Sequence, residues 1–169
     1  MATNLQFIKS QSITSSVANI SITDVFSANY DVYKIVADIT SSSGDSDGSL
    51  QFIDASDNVE TGSNYDWAML IMKSETSFFE YKNTGQANMT ALFHGTEQGS
   101  ANTIYVYNPF SSSSYTFVQG QASGESGTNL RGYKNIGVFK LAESMTGFKL
   151  TFDVNATSGS VRTYGLGVS

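Results

Sequence analysis

The chain has 169 residues, no cysteine and a formal net charge of −6. That length fits one domain, the missing thiols exclude disulfides and thiolate metal sites, and nine scattered Lys and Arg are too few for the basic footprint of a general nucleic-acid binder. Charged residues make up 14% of the chain, against roughly 25% in a typical soluble domain; Ser, Thr, Asn and Gly supply the polarity instead, which suits turns, β surfaces and contact with another protein.

Met1-Ala2-Thr3-Asn4 opens with neither a basic n-region nor a long apolar run, so neither a signal peptide nor a membrane span is expected. Residues 5–12 read as a short arm gripped only by Leu5, Phe7 and Ile8. It is either a first strand or a tail that docks on a neighbour. The expected organisation is therefore an N-terminal arm, 1–12, and one β-sandwich domain, 13–169.

Ala18, Ile20 and Ile22 alternate with polar residues and predict a strand. A connection follows over residues 24–31. Tyr33, Ile35, Ala37 and Ile39 then alternate with Lys34, Val36, Asp38 and Thr40, a second strand. Residues 41–48 read as a loop, 49–54 as a short strand carrying Leu50 and Phe52, and 55–64 as another polar loop. Residues 65–72 are apolar on both faces, which fits a buried strand or one helical segment; the neighbours favour a strand. Further strands are expected at 76–82, 88–94, 103–108, 114–122 and 136–141, joined by Gly- and Ser-rich turns. Pro109 stands in a loop and interrupts none of them.

The clearest pattern closes the chain. Phe148, Leu150, Phe152 and Val154 alternate with Lys149, Thr151, Asp153 and Asn155, so one face is apolar and the other wet. The cluster Asn155-Ala156-Thr157-Ser158-Gly159 reads as a turn, making residues 145–166 a terminal hairpin. About 8–11 short strands without a long amphipathic helix predict an all-β, antiparallel, jelly-roll-like sandwich. The predicted core is Ile20, Ile22, Ile35, Ala37, Ile39, Leu50, Phe52, Phe148, Leu150, Phe152 and Val154.

No motif of nucleophilic catalysis is present. His94 is the only histidine, and no Gly-x-Ser-x-Gly elbow accompanies it. It also lacks partners for a zinc site. The acidic loops Asp45-Ser46-Asp47-Gly48 and Asp54-Ala55-Ser56-Asp57-Asn58 resemble calcium loops superficially, but no complete calcium pattern is present and these are also ordinary turn residues. No catalytic residue, metal or cofactor is assigned. Three Asn-x-Ser/Thr tripeptides, at Asn19, Asn88 and Asn155, are what chance provides in such a composition.

Charge is uneven along the chain. Residues 85–129 carry only Glu97 and Glu125, yet include Tyr105, Tyr107, Phe110, Tyr115 and Phe117. Such a stretch suits a subunit interface or a glycan-facing surface. Tyr65 and Trp67 join Tyr105, Tyr107 and Tyr115 as sugar-platform candidates, with core or inter-subunit packing the preferred reading. The expectation is a homo-oligomer, trimer favoured, whose contacts draw on residues 85–129 and whose arm, through Leu5, Phe7 and Ile8, anchors it.

Two stretches carry a family likeness. Ile20-Ser21-Ile22-Thr23-Asp24-Val25-Phe26, followed by Tyr30-Asp31-Val32-Tyr33-Lys34-Ile35, resembles the opening of a β-rich module in structural proteins of tailed phages, especially marine and cyanobacterial phages. Ser158-Gly159-Ser160-Val161-Arg162-Thr163-Tyr164-Gly165-Leu166 resembles the end of the same modules. The resemblance implies a non-enzymatic virion protein with a jelly-roll-like fold, often trimeric. It would serve as a capsid decoration (cement) protein, with a tail- or fibre-associated, glycan-binding module as the alternative. Its partners would be the major capsid protein or tail components, without nucleic acid or membrane insertion. Its location would be the virion, assembled in the host cytoplasm.

Overall fold

The computed structural model describes residues 4–75, 78–126 and 129–167. Among these the chain is all-β, an antiparallel, jelly-roll-like sandwich of eleven strands without a helix. The strands are β1 (Asn4–Ile13), β2 (Val17–Ile22), β3 (Val32–Ser41), β4 (Ser46–Asp54), β5 (Tyr65–Lys73), β6 (Phe78–Gln86), β7 (Met89–Gly95), β8 (Ser100–Tyr107), β9 (Thr116–Ser126), β10 (Asn129–Phe139) and β11 (Met145–Gly167).

Three bent ribbons form the centre. β11 runs unbroken for 23 residues. On one side β1 and then β2 lie antiparallel along it, from Leu5↔Leu166 to Phe148↔Ile22. On the other side β3 and then β4 do the same, from Leu166↔Val32 to Met145↔Asp54. The C-terminal half of β11 thus belongs to a large sheet, β1-β11-β3-β8-β9-β10-β5-β6, and its N-terminal half to a small one, β2-β11-β4-β7. β7 lies over β9, with contacts to β3, β8, β5 and β10, and closes the sandwich.

The expected terminal hairpin is therefore corrected to one strand that turns a corner. The polar cluster 155–159 reads as a reversal, but the ladder merely shifts register there and the chain continues forward. Ala156 is fully buried. Gly159 has φ +136°, and a Cβ on it would collide with the Asp38 carbonyl oxygen. Only glycine admits that backbone and that approach. Strands that pass between sheets bend at such points.

Alternation fills the space between the layers. Tyr33, Ile35, Ala37 and Ile39 of β3, with Ile104, Val106 and Val118, face Leu50, Phe52, Leu92, Phe93, Phe148, Leu150 and Phe152. Of the predicted core residues, Ile20 and Val154 are only partly buried, at the rim; the others are buried. Val25 and Phe26, in the connection before β3, cap the core. Both amides donate to the Thr146 carbonyl, at 2.9 and 3.0 Å, and the Phe26 ring meets Tyr33 edge-on at 4.8 Å.

Several strands exceed their expected lengths, β4 and β10 most clearly. The expected loop 41–48 ends at Ser46, where β4 begins. β10 starts at Asn129 instead of Ile136, because its first half is polar and glycine-rich. Thr76 and Ser77, where a strand is expected to start, lie outside the described residues, as do residues 1–3 of the arm and residues 127 and 128 of the charge-poor segment. Residues 4–13 of the arm and its edge form β1.

Two substitutions test this arrangement. Phe152→Ala, at a site 4% exposed, lowers stability by about 3–5 kcal/mol in urea denaturation. Gly159→Ala, which must move backbone, costs at least as much. A wild-type midpoint for Gly159→Ala would show that β11 does not turn at that residue.

Candidate functional site

The outer face of the large sheet is the feature most unlike an ordinary solvated surface. Cross-strand partners share a face, so the register assembles it row by row. One row runs Leu5–Leu166–Val32–Tyr107–Phe117–Val138–Asp66 across seven strands. The next runs Phe7–Tyr164–Lys34–Tyr105–Gln119–Ile136–Ala68–Lys82. A third includes Lys134, Leu70 and Glu80.

The structure thus brings together two groups that the sequence treats separately. Leu5 and Phe7 stand on the same face as Tyr105, Tyr107 and Phe117. Phe7 meets Tyr164 edge-on at 5.7 Å, and Lys34 Nζ sits 5.8 Å from the centre of the Tyr105 ring. Leu5, Phe7, Phe117, Ile136, Leu70 and Met72 are exposed, with Phe117 at 50% and Ile136 at 56%. Ile8 lies elsewhere, half-buried against the core. Phe110 and Tyr115 sit in the β8–β9 connection, Phe110 half-buried and Tyr115 exposed. A shallow groove of about 490 Å³ runs between Phe117, Ile136 and Lys82. The row across seven strands spans about 30 Å at the usual strand spacing, a width that a standard protein–protein interface requires.

The other sugar-platform candidates separate. Tyr65 is fully buried; its hydroxyl donates to the Glu60 carbonyl at 3.0 Å and accepts the Phe52 amide at 2.9 Å. It is a core strut, placed by the alternation of β5. Trp67 lines the opposite, inner side of the sheet.

The acidic loops also separate. Asp54 Oδ1 accepts the amides of Ser56 and Asn58 at 2.7 and 2.8 Å, which is turn chemistry. Its carboxylate, with Glu60 and Glu143, forms a three-acid group whose oxygens lie within 4.8 Å of one another. Burial first, then the charges of Glu143 and Asp54, hold Glu60 above the usual carboxylate range. Hydrogen bonds from Asn58 hold Asp54 below it. Asp45 and Asp47 instead flank His94. The imidazole is 1% exposed, with Nε2 3.8 Å from Asp45 Oδ1 and Nδ1 3.5 Å from Asp47 Oδ1. Asp45 also takes an ion pair from Arg131, and Tyr133 packs on the ring at 4.4 Å. Asn102 fixes the His94 backbone, accepting its amide at 2.7 Å and donating to its carbonyl at 3.0 Å. Arg131 and Tyr133 escape the sequence reading. The signal was the period-two series Arg131, Tyr133, Asn135, Gly137, Phe139, which is too polar to stand out as a strand.

No family model matches the chain, and no curated protein does. Among solved structures it is similar to a tetrameric galectin from the ball sponge Cinachyrella sp., at 9% identity and TM-score 0.37, over 89% of this chain and 99% of that one. A functionally unknown protein from Saccharomyces cerevisiae shares 14% identity at TM-score 0.26, over 83% of this chain and 72% of that one. The apo Crh5 transglycosylase shares 8% at TM-score 0.18, over 90% of this chain and 86% of that one.

The buried phenols give a pH signature. Burial, then the charge of Asp47, pushes Tyr133 up to about 12. Burial also raises Tyr65. A raised value means that folding favours the neutral phenol. That stability is complete below the ordinary value near 10 and is lost as pH climbs through the folded one. Thermal midpoints should therefore fall between about pH 10 and about 12, with tyrosinate absorbance developing late. Tyr133→Phe should remove one late-titrating phenol and flatten that fall; an unchanged titration would place Tyr133 in water.

Proposed function

We propose that this chain is a non-enzymatic structural protein of a tailed-phage virion, a capsid decoration protein on the particle surface, that packs through the outer face of its large sheet. The observation that carries the packing is the row from Leu5 to Val138, an apolar and aromatic band left open on a sheet face. Sheet faces of soluble monomers are normally polar on the wet side, and large open apolar patches mark interaction sites. The band holds one charge near its middle, Lys34 beside the Tyr105 ring, and has Lys82, Lys134, Glu80 and Asp66 toward one side. A charge-poor middle with charges at the margin is the anatomy of an interface.

The phage reading rests on the two terminal motifs. In the fold they are neighbours: Val32, Tyr33, Lys34 and Ile35 pair with Leu166, Gly165, Tyr164 and Thr163. The Tyr30 ring lies where a Cβ on Gly165 would be, and the Tyr33 hydroxyl donates to the Ser27 carbonyl at 2.8 Å. Tyr30, Tyr33 and Gly165 thus have packing roles there, which supports reading the two motifs as parts of one module.

The occupant of the face is a second copy of this chain, in a closed oligomer for which the resemblance favours a trimer. Major capsid protein or tail components are the onward partners. The alternative, a glycan-binding tail or fibre module, is less favoured for this face. Tyr105 and Tyr107 are half-buried among strand neighbours, and only Tyr115 stands on a loop.

Light scattering should find an oligomer, and Phe117→Lys, at an exposed site, should shift it toward monomer. Burying a charge in such a centre costs at least about 2 kcal/mol, or roughly thirtyfold in dissociation constant. A wild-type monomer at high concentration would overturn the packing reading. Cryo-electron microscopy of the parent particle tests the location, and absence of the chain from purified virions would overturn the phage reading.

A further inference from the structure

The inner side of the large sheet presents a different chemistry. Its β10-β5-β6 wing extends past β7 and leaves a cleft of about 410 Å³ against β4, β7 and β11. The floor is aromatic and apolar, chiefly Trp67, Tyr81 and Tyr133. The opposite wall carries Asp47 and Asp153, with Arg131 at one side. Tyr81 is 51% exposed, so the cleft opens to solvent along β6.

Polar atoms here lack partners. Among the described residues nine buried side-chain polar atoms have none, and six belong to this cluster: Asp45 Oδ1, Asp47 Oδ1, Trp67 Nε1, Arg131 Nε and both ring nitrogens of His94. Four of the six face one another just beyond hydrogen-bond length, His94 Nε2 to Asp45 Oδ1 at 3.8 Å and His94 Nδ1 to Asp47 Oδ1 at 3.5 Å. Trp67 Nε1 and Arg131 Nε remain without a partner, and buried polar atoms are nearly always satisfied, so these two donors on the cleft lining leave bonds for a polar ligand to complete. His94 is almost wholly buried directly behind the two acids. Asp153 is held in place, its Oδ1 accepting Ser46 Oγ at 2.9 Å and the Val154 amide at 2.8 Å.

We infer that this cleft binds a saccharide ring that is uncharged or carries an amino group. The C–H face of a sugar packs on exposed aromatic rings, while its hydroxyls donate to carboxylates and accept from an indole or guanidinium N–H. An aromatic floor facing an acceptor wall, with a few donors at its side, is what such a ring needs. Three acids oppose Arg131 and Lys73 here, so an acidic sugar is disfavoured. A divalent cation fits poorly. Asp45 and Asp47 approach opposite nitrogens of His94, so their carboxylates straddle the ring instead of converging on one point. The site uses the face opposite the packing band and does not depend on it.

Trp67 is the only tryptophan, so intrinsic fluorescence reports directly on the cleft. The full chain is titrated with glucose, galactose, mannose, N-acetylglucosamine and glucosamine, their short oligomers, and separately with calcium chloride. At least one sugar series should give a saturable change in emission. Asp47→Asn should weaken it at least about tenfold, the scale of a lost charge-assisted hydrogen bond. Tyr81→Ala, on the exposed edge strand, should weaken it as well, and covers the case in which Asp47→Asn does not fold. Phe117→Lys should leave it unchanged. No saturable response to any sugar, a response indifferent to both cleft substitutions, or a response to calcium chloride alone would each overturn the assignment. Failure here leaves the oligomer measurement untouched, and the reverse holds too.

Discussion

Everything in this fold depends on β11 being paired on both sides in each of its halves. Its first half is held between β2 and β4, its second between β1 and β3. A strand in that position has partners on both sides, and in its first half one face is dry while Lys149, Thr151 and Asp153 line the other. It can serve two sheets only by bending between them. The bend requires a residue without a side chain where it crosses the Asp38 carbonyl, which Gly159 provides. The two layers therefore share one continuous ribbon, β11, and their separation is set by how sharply it turns.

From that geometry follow two faces of opposite character. The outside of the large sheet is broad and aromatic, with Lys34 the charge nearest its centre. The inner wing, beyond the reach of β7, is acidic and lined with rings. β10 and β5 contribute to both at once, because successive residues on a strand point to opposite sides. Ile136 faces outward while Tyr133 and Asn135 face inward, and Ala68 and Leu70 face outward while Trp67 and Met69 face inward. A protein that must pack against copies of itself and still meet a second kind of molecule can use such a sheet without either surface intruding on the other.

Much of the fold was legible in the sequence where one face of a strand is dry. Residues 33–39 and 148–154 alternate cleanly, because burial imposes a period of two, and they form β3 and the first half of β11. The terminal hairpin was misread for a physical reason. Asn, Ser and Gly serve a reversal and a sheet-to-sheet corner equally well, and only the partner strands distinguish the two. β10 was half hidden because its inward residues are polar: Arg131 pairs with Asp45, Tyr133 packs on the His94 ring, and Asn135 Nδ2 donates to the Ala91 carbonyl at 2.8 Å. Of the outer face, the aromatic members were visible as a charge-poor stretch. Their union with Leu5 and Phe7 was not, since it depends on strands far apart in the chain, such as those of Leu5 and Leu166, lying side by side. The cleft cluster was invisible for the same reason: β4, β7, β10 and β11 each supply one or two members.

The pairing of β1 with the end of β11 has a kinetic side. Leu5 waits for Leu166, and β3 and β4 wait for the same strand. During synthesis β11, the middle of both sheets, is made after the other ten strands described, so the nascent chain carries open strand edges and an uncovered apolar interior until it emerges. Closure then joins contacts that are nearly the whole chain apart, the kind of topology that folds slowly because loop entropy must be overcome before pairing stabilises anything. The same low charge that suits the finished surface leaves those waiting edges with little electrostatic protection against neighbouring chains. The abundance of Gly, Ser and Asn at the turns limits how long any apolar edge runs before it is broken. In that sense the composition that shapes the surface also guards the chain before it has one.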